Sequence, residues 1–460
     1  MKNFLKLAAV FFSMVFIQCG KEQKTDEWIE LFNGKDLSGW KANENPESFS
    51  VRDGNIVANG KRSHLLYVGE DGQADFKNFE FSIDVMTYHL TNSGVYFHTA
   101  HQPEGWLSKG YEMQINSTHR GGGDYKEVKK GGSLYSIRNV YKAFVKDSVW
   151  YTMNLRVVGK HIQIRMDGKL IVDYVEPVTP SRYREVDKGQ DLLSHGTFAL
   201  QGHDVESTVF FKNIRVKKLD DQLQDSIAIP QTDIFPRVVE LQSHHFAFID
   251  SNIKSNGDLN IDSALHQFYT TGINLGIVTH DSIFTDDAAV SAFTMMYNEY
   301  PVFLGLEIDP VKTKEITPER KNQFDYSIGK IKGDVYIKNP QIAMDSYVKL
   351  IVETLNKKNI DIWSSATVLP ESLARDYKTL WTKARMMEVI DAARQNNVAI
   401  EIDNVHRLPE IEFLRLAKEK GCRFANSGMF VNNRITQPDY FIEVIDACKL
   451  DYKDIYIPGN

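Results

Sequence analysis

Glu112, Gln114 and Asn116 alternate with Tyr111, Met113 and Ile115 through the segment YEMQIN. A period of two puts the polar three on one face of a strand and the apolar three on the other. A carboxylate among amides on such a face has the parts of a proton-transfer or metal site, which makes Glu112 the first candidate for a base or ligand. SGVYFHTA puts Tyr96 and His98 on a shared face in the same way. Imidazole titrates near neutrality, so His98 is a candidate acid, base or ligand. In LQGHD, Gln201 and His203 end a strand at a rim where polar recognition groups collect. The plain alternative for each is a solvated strand face. His101, His119, His161 and His195 form no partner pattern. His119 sits in THRGGGDYK, which lacks the glycine spacing and the Lys-Ser/Thr pair of a phosphate-binding loop and reads as a loop over the site.

These residues need a frame of strands. FEFSIDV sets Phe79, Phe81, Ile83 and Val85 against Glu80, Ser82 and Asp84. Residues 151–174 read as two long strands around an Asp167-Gly168 turn. Later strands follow in FALQ and TVFFKNIRV, and helical periodicity is nearly absent from 28 to 219. Many short strands with turns between them predict an all-β sandwich or jelly roll. The acidic, aperiodic stretch 220–235 reads as a linker. From 236 to 460 strand-like runs (RVVELQ, INLGIVT, VFLGLEI, GDVYIK, IDIWSSA, VAIEID, CRFANS) alternate with helical ones. QIAMDSYVKLIVETLNKKN brings Ile342, Val348, Ile351, Val352 and Leu355 near one helical face, and Gly421 stands where a helix C-cap belongs. Seven such strands predict a parallel sheet closed into an α/β barrel.

The chain has 460 residues, 42% hydrophobic and 25% charged, with a net charge of −7 and 3 cysteines. That length fits two domains of about 200 residues. The acidic balance argues against nucleic acid as a partner, and the cysteines are too few for a disulfide framework. Lys2 and Lys6 flank the start of an apolar run of about 14 residues, shorter than a bilayer span. Residues 1–18 therefore read as a signal peptide. Cys19 at its end resembles the lipidated cysteine of bacterial lipoproteins, with 19–27 as a tether. This predicts an exported lipoprotein of the cell envelope, held to the membrane by a lipid anchor. Cys422 and Cys448 lie in apolar contexts and read as buried thiols.

The ordered set WIELFNGKDLSGW, FSVRDGNIVANG, SGVYFHTA, GYEMQIN, GGSLYSI and LQGHD…VFFKNIRVKKL resembles the 3-keto-disaccharide hydrolase family, also described as 3-keto-glucoside 1,2-lyase and 3-keto-2-hydroxy-glucal hydratase domains. The resemblance covers residues 28–219 and implies a concanavalin-like jelly roll and a carbohydrate substrate. It also implies a chemistry. A ketone at C3 of a sugar acidifies the hydrogen on C2; a base removes it, the group on C1 leaves by β-elimination, and water adds to the resulting glycal. The route needs a base, a group that stabilises the enolate oxygen and an acid for the leaving oxygen. A divalent metal in the jelly-roll site could fill the second role. Glu112, His98 and His203 are then the catalytic candidates. Gln114, Asn116, Tyr96 and Gln201 are candidates for substrate binding, and Tyr135 and Lys142 for hydrogen bonding to the keto or enolate oxygen. His98 stands where the family often has arginine. Trp106 could stack on a sugar face, while Trp40 reads as core.

Residues 236–460 resemble the PHP superfamily (polymerase and histidinol phosphatase), whose barrels bind metal clusters at strand ends. The resemblance runs through VELQSHHF, GINLGIVTHD, FLGLEID, FDYSIGKIK and GCRFANSGMF. Of the expected ligands only His244, His280 and Glu307 stand in place. Gln242, Thr279, Lys332, Ser365, Gly428 and Phe430 occupy the others. The expectation is an inactive barrel that positions the first domain, binds a protein partner or recognises sugar, with a residual site on His244, His280 and Glu307 as the alternative. Glu401, Asp403, Asn404 and His406 form its best candidate polar pocket. The leading reading for the whole chain is cleavage of 3-keto-glycosides or 3-keto-disaccharides. The alternatives are a non-catalytic glycan-binding surface lipoprotein and a PHP-type metal-dependent phosphoesterase.

Overall fold

The computed structural model describes residues 27–122, 126–181, 192–233, 246–250, 261–311, 316–333, 338–428, 430–431, 434–435 and 437–459. The expected signal segment 1–18, Cys19 and His244 lie outside the described residues.

Among the described residues thirteen strands form the first part of the chain: Ile29–Glu30 (β1), Trp40–Ala42 (β2), Phe49–Arg52 (β3), Asn55–Ala58 (β4), Ser63–Tyr67 (β5), Phe79–Thr87 (β6), Asn92–Thr99 (β7), Tyr111–Asn116 (β8), Tyr151–Val158 (β9), His161–Met166 (β10), Lys169–Val175 (β11), Thr197–Gly202 (β12) and Val209–Lys218 (β13). One antiparallel sheet runs β11, β10, β9, β6, β13, β4, β3 with β1 also on β13; the other runs β2, β5, β12, β7, β8. This is the expected jelly-roll-like sandwich. Phe79, Phe81, Ile83 and Val85 meet Val95, Phe97, Met113, Ile115 and Phe198 in its interior, all essentially inaccessible. Trp40 is core as expected, its indole N–H donating to the Leu31 carbonyl at 2.7 Å.

The segment 151–174 contains three strands, not two. Asp167 and Gly168 make the expected hairpin turn, both at positive φ. A second turn at Gly159-Lys160 ends β9 early, because apolar residues continue on either side of it and mask the break.

The second part is a parallel sheet closed into a seven-stranded barrel: Phe246–Asp250 (β14), Asn274–His280 (β15), Phe303–Ile308 (β16), Tyr326–Lys330 (β17), Ile362–Ser364 (β18), Ala399–Asp403 (β19) and Phe424–Ser427 (β20). Pairing of Ala247 with Asn426 closes it. The strand count agrees with expectation, and two of the expected strands, RVVELQ and GDVYIK, fall wholly or mostly outside the described residues. The first barrel strand described is FAFID and the fourth is YSIGK. Glycine and serine in YSIGK weakened its strand signal. Helices Pro340–Asn356, Lys383–Gln395 and Ile411–Glu419 cover the barrel. In the first of these Val348, Ile351 and Leu355 are buried as expected, while Ile342 is exposed near the N-terminus. Gly421 takes φ +76° just past the last of them, the left-handed conformation that ends helices. Cys422 and Cys448 are free and buried, and burial pushes the Cys422 thiol up to about 12.

The two parts share a seam. Tyr141, on the jelly-roll loop after β8, enters the barrel's N-terminal mouth among Val278, Phe303, Tyr326, Ile328, Ile362, Ala399, Ala425 and Tyr456. Several of these begin their strands. Burying a side chain of that size is worth roughly 2–3 kcal/mol. Around it Asn274 accepts from the Tyr141 N–H at 3.1 Å and donates to the Asn139 carbonyl at 2.8 Å. Lys142 reaches Asp325 at 2.7 Å and Asn298 at 3.0 Å.

The chain between the two parts is tied to the larger sheet. Asp225 accepts from Arg156 at 2.5 and 2.8 Å and pairs with His161 at 2.6 Å, while the other ring nitrogen of His161 meets Asp173. The Arg156 hydrogen bond holds the Asp225 carboxyl down near 2 against the effect of burial. Its stabilisation is complete above the ordinary carboxylate range and is lost as pH falls from about 4 to 2. Asp225→Asn should lower the thermal midpoint at pH 7 by about 2–4 °C, the equivalent of about 1 kcal/mol. The difference from the parent should vanish near pH 2; an equal gap at both pH values would show that the ion pairs are not its source.

Candidate functional site

The outer face of the five-stranded sheet gathers the polar residues. Register places Gln201 opposite His64 and Tyr96 opposite Glu112. Gln201 Nε2 lies 3.1 Å from Glu112 Oε1 and 3.3 Å from the Tyr96 hydroxyl. Tyr96 also hydrogen bonds to Glu112. Gly94, one alternation before Tyr96, makes room for this carboxylate: a Cβ there would stand 2.2 Å from Glu112 Oε1 and 2.8 Å from its Cγ. Gln114 is buried beside them and donates to Asn92 at 3.1 Å.

A returning segment walls the site. The Tyr135 N–H donates to the Glu112 carbonyl at 2.9 Å, the Gln114 N–H to the Ser133 carbonyl at 2.9 Å, and the Gly132 N–H to the Gln114 carbonyl at 3.0 Å. Residues 132–135 thus extend the sheet beyond β8. The segment carries Glu127 and Lys129, both buried. Lys129 Nζ lies 3.5 Å from Glu127, 3.2 Å from the Tyr135 hydroxyl and 4.3 Å above the Tyr135 ring. Tyr135 donates in turn to Glu127 at 3.2 Å.

Glu112 keeps part of its surface open, yet protein surrounds its carboxyl. That loss of hydration pushes it up to about 8, against the hydrogen bond from Tyr96; Glu127 adds to the rise and Lys129 opposes it. A carboxyl in this range can hold or release a proton near neutral pH.

On the other side stand three histidines and a tryptophan. His203 Nδ1 lies 2.6 Å from Asp204, which fixes the proton there and leaves Nε2 as the basic nitrogen. Burial raises the Asp204 carboxyl, but the hydrogen bonds from His203 and Ser207 and the His203 charge together outweigh it and hold it down at about 2. His119 packs 5.7 Å from His203 and Trp106 5.0 Å from it, ring centre to ring centre. His64 sits edge-on to both Tyr96 and Trp106, and burial pushes it down to about 4. Among the described residues neither His64 ring nitrogen nor Gln201 Oε1 has a hydrogen-bond partner. Arg62, held by Glu44 at 2.9 Å, lies over the exposed Trp106 ring.

The structure therefore brings together Glu112, Tyr96, Gln114, Gln201, Tyr135 and His203. Three expected residues fall elsewhere. His98 does not share the Tyr96 face: a bulge at φ +52° shifts the register against β12 and turns its ring onto Phe79 in the core. There it donates to the Lys77 carbonyl at 2.9 Å and accepts from the Ser194 N–H at 3.2 Å, and burial pushes it down to about 4. Asn116 spends its amide on the loop, bonding the Lys129 carbonyl, the His119 carbonyl and the His119 N–H. Lys142 is in the barrel seam. The residues not foreseen are His64, His119, Glu127, Lys129 and Asp204. His64 sits in SHLLY, whose polar and apolar letters do not alternate, and the others sit in aperiodic loops, so none carries a period-two signal.

In the barrel, His280 and Glu307 pair across β15 and β16, and His280 caps the turn after it by accepting from Ser282. Glu401 is buried and receives Ser364 at 2.9 Å and the Ser365 N–H. Asp403 caps the next turn and holds His406, and Asn404 bonds Ser427 and Phe441, so this cluster is spent on local structure. Among the described residues no three His, Cys, Asp or Glu side chains converge as a metal site would require. The jelly-roll residues present thus do not fit a divalent metal.

Residues 27–217 match the family model of the 3-keto-alpha-glucoside-1,2-lyase-like domain. No curated protein matches the chain. Two solved structures from Parabacteroides distasonis ATCC 8503, each provisionally described as a glycosyl hydrolase, are similar to it. One is 21% identical, covering 44% of this chain and 98% of its own, with a TM-score of 0.36. The other is 27% identical, covering 42% and 100%, with a TM-score of 0.35. A carbohydrate-binding module from Bacillus subtilis is 14% identical over 39% of this chain and 96% of its own, with a TM-score of 0.27.

Proposed function

We propose that this chain cleaves 3-keto-glycosides by elimination at C1. The observation that carries the reading is the enclosed Glu112 carboxyl, raised to about 8 on a sheet face lined with hydrogen-bonding groups. The family match of residues 27–217 supports a carbohydrate substrate and this reaction class.

Glu112 as carboxylate takes the C2 proton. The C–H pair passes into the enolate, whose charge rests on the C3 oxygen, and then forms the C1–C2 double bond as the C1–O bond breaks; the leaving oxygen takes its proton from Nε2 of His203 in the imidazolium form, which Asp204 orients and which a proton of the added water restores. Lys129 and Tyr135 hydrogen bond to the C3 oxygen while it carries enolate charge. Return of the proton to C2 with addition of water at C1 completes a net hydrolysis. The exposed Trp106 ring offers a stacking face for the sugar. The test is incubation of the full chain with an aryl 3-keto-glucoside. Aglycone should appear, with the unoxidised glucoside untouched; an intact keto substrate after prolonged incubation overturns the reading.

The barrel, on this proposal, has no reaction of its own, because glycine and phenylalanine at 428 and 430 cannot ligate a metal. Export and lipid anchoring through Cys19 belong to the same proposal. Palmitate labelling that is lost in Cys19→Ala would support the anchor, and labelling that persists would remove it.

A further inference from the structure

Why a sugar-cleaving jelly roll should carry a barrel has a physical answer in the seam. We infer that the barrel is a positioning element of the jelly-roll site: its N-terminal mouth grips residues 138–142 and thereby holds Glu127, Lys129 and Tyr135 in the wall around Glu112. The role assigned to that wall rests on the proposed elimination.

The grip is continuous from barrel to carboxylate. Tyr141 fills the barrel mouth and Lys142 locks its edge through Asp325. Directly before them, residues 138–140 are bonded back onto the wall. The Lys130 N–H donates to the Val140 carbonyl at 2.8 Å, and Leu134 and Arg138 exchange N–H···O bonds at 3.0 and 2.8 Å. The Val140 N–H donates to the Ser133 hydroxyl at 2.9 Å. Arg138 stacks on Tyr174 and pairs with Asp233. The next bonds are those of residues 132–135 to β8 itself. Every link from Asn274 to Glu112 is thus a hydrogen bond or a buried side chain, and none depends on the barrel's opposite, C-terminal face. In barrels of this type that face is where sites form, whereas contacts at the N-terminal face serve stability.

The segment needs such help. Among the described residues of 117–142 there is no regular strand, and Glu127 and Lys129 lie within them. A buried ionic pair keeps its geometry only where the surrounding backbone is held. With the mouth empty, water reaches Glu112 and the wall loses its fixed position.

The test uses the full chain with Tyr141→Ala, and Lys142→Met as a second variant should the first fold poorly. Amide exchange of residues 127–135 is read without substrate and should quicken about tenfold in Tyr141→Ala and about threefold in Lys142→Met, while the strands β6 and β9 keep their protection. With 3-keto-glucoside, the acid limb of the kcat/KM profile should move from about 8 toward the ordinary carboxylate range, with kcat falling about tenfold. A merely stabilising seam would lower the thermal midpoint and leave exchange at 127–135 and the limb unchanged, and that result overturns the inference. Quickened exchange in a chain that turns over no keto-sugar leaves the grip standing and removes the reaction.

Discussion

Glu112→Gln should reduce kcat/KM on a 3-keto-glucoside by about 10²–10⁴-fold, the usual contribution of a positioned general base. The amide is isosteric, and its oxygen can still accept from Gln201 and Tyr96, so the loss is one of chemistry and not of packing. The parent enzyme should show kcat/KM rising with pH and levelling above about 8, because only the carboxylate form takes a proton. The same raised value has a stability consequence whose sign is fixed. A carboxyl that binds its proton more tightly in the folded state makes folding less favourable as pH rises from about 4.5 to about 8. Glu112→Gln should lack that decline and so gain relative stability at pH 8. Activity within twofold of the parent, or an unchanged decline, would remove Glu112 from the mechanism.

Gly94→Ala is the second large effect. One methyl group at this position occupies the place of the Glu112 carboxylate, at 2.2 Å from its oxygen. Both cannot stay, and the flexible side chain moves sooner than the paired strands. We expect kcat/KM to fall by about 10²-fold or more, since a base displaced by an ångström is poorly placed for transfer. The stability cost should be about 1–3 kcal/mol, typical of overpacking. The two variants differ in their pH signature. Gly94→Ala keeps an ionisable carboxyl but lets it reach water, so its residual activity should rise at a lower pH than that of the parent. Residual activity with the limb still near 8 would mean that the carboxyl had not moved.

The sandwich was legible because its strands are long and strictly alternating. Phe79 to Val85 and Tyr111 to Ile115 point inward as a period of two requires, and the same arithmetic placed Glu112 and Gln114 outward. It failed at His98. The alternation of SGVYFHTA puts Tyr96 and His98 together, but His98 itself takes a positive φ that turns its ring to the opposite side, and no property of histidine announces a bulge. Lys142 and Asn116 failed differently. Their types suit a sugar site, but the partners that claim them lie 183 residues away in the barrel and 13 residues along a loop. His64 lies on a strand whose letters, SHLLY, do not alternate, and Glu127, Lys129 and Asp204 belong to irregular backbone where sequence carries no facing information. The barrel's seven strands can be counted from the alternation of strand and helix, while glycine and serine give YSIGK a weak strand signal of its own.

The plug formed by Tyr141 also has a place in time. The chain is synthesised from its N-terminus, and domains generally fold as units in that order. Tyr141 leaves the ribosome well before the strands that surround it, whose last, β20, ends at Ser427. The jelly roll can present the ring on a finished loop while the barrel is still incomplete. The closing strands then assemble around an object already in position, and the ring serves them as a template. A parallel barrel has slow, long-range pairings; a preformed apolar nucleus at its mouth gives those pairings a common target and shields an otherwise exposed aromatic ring once they close.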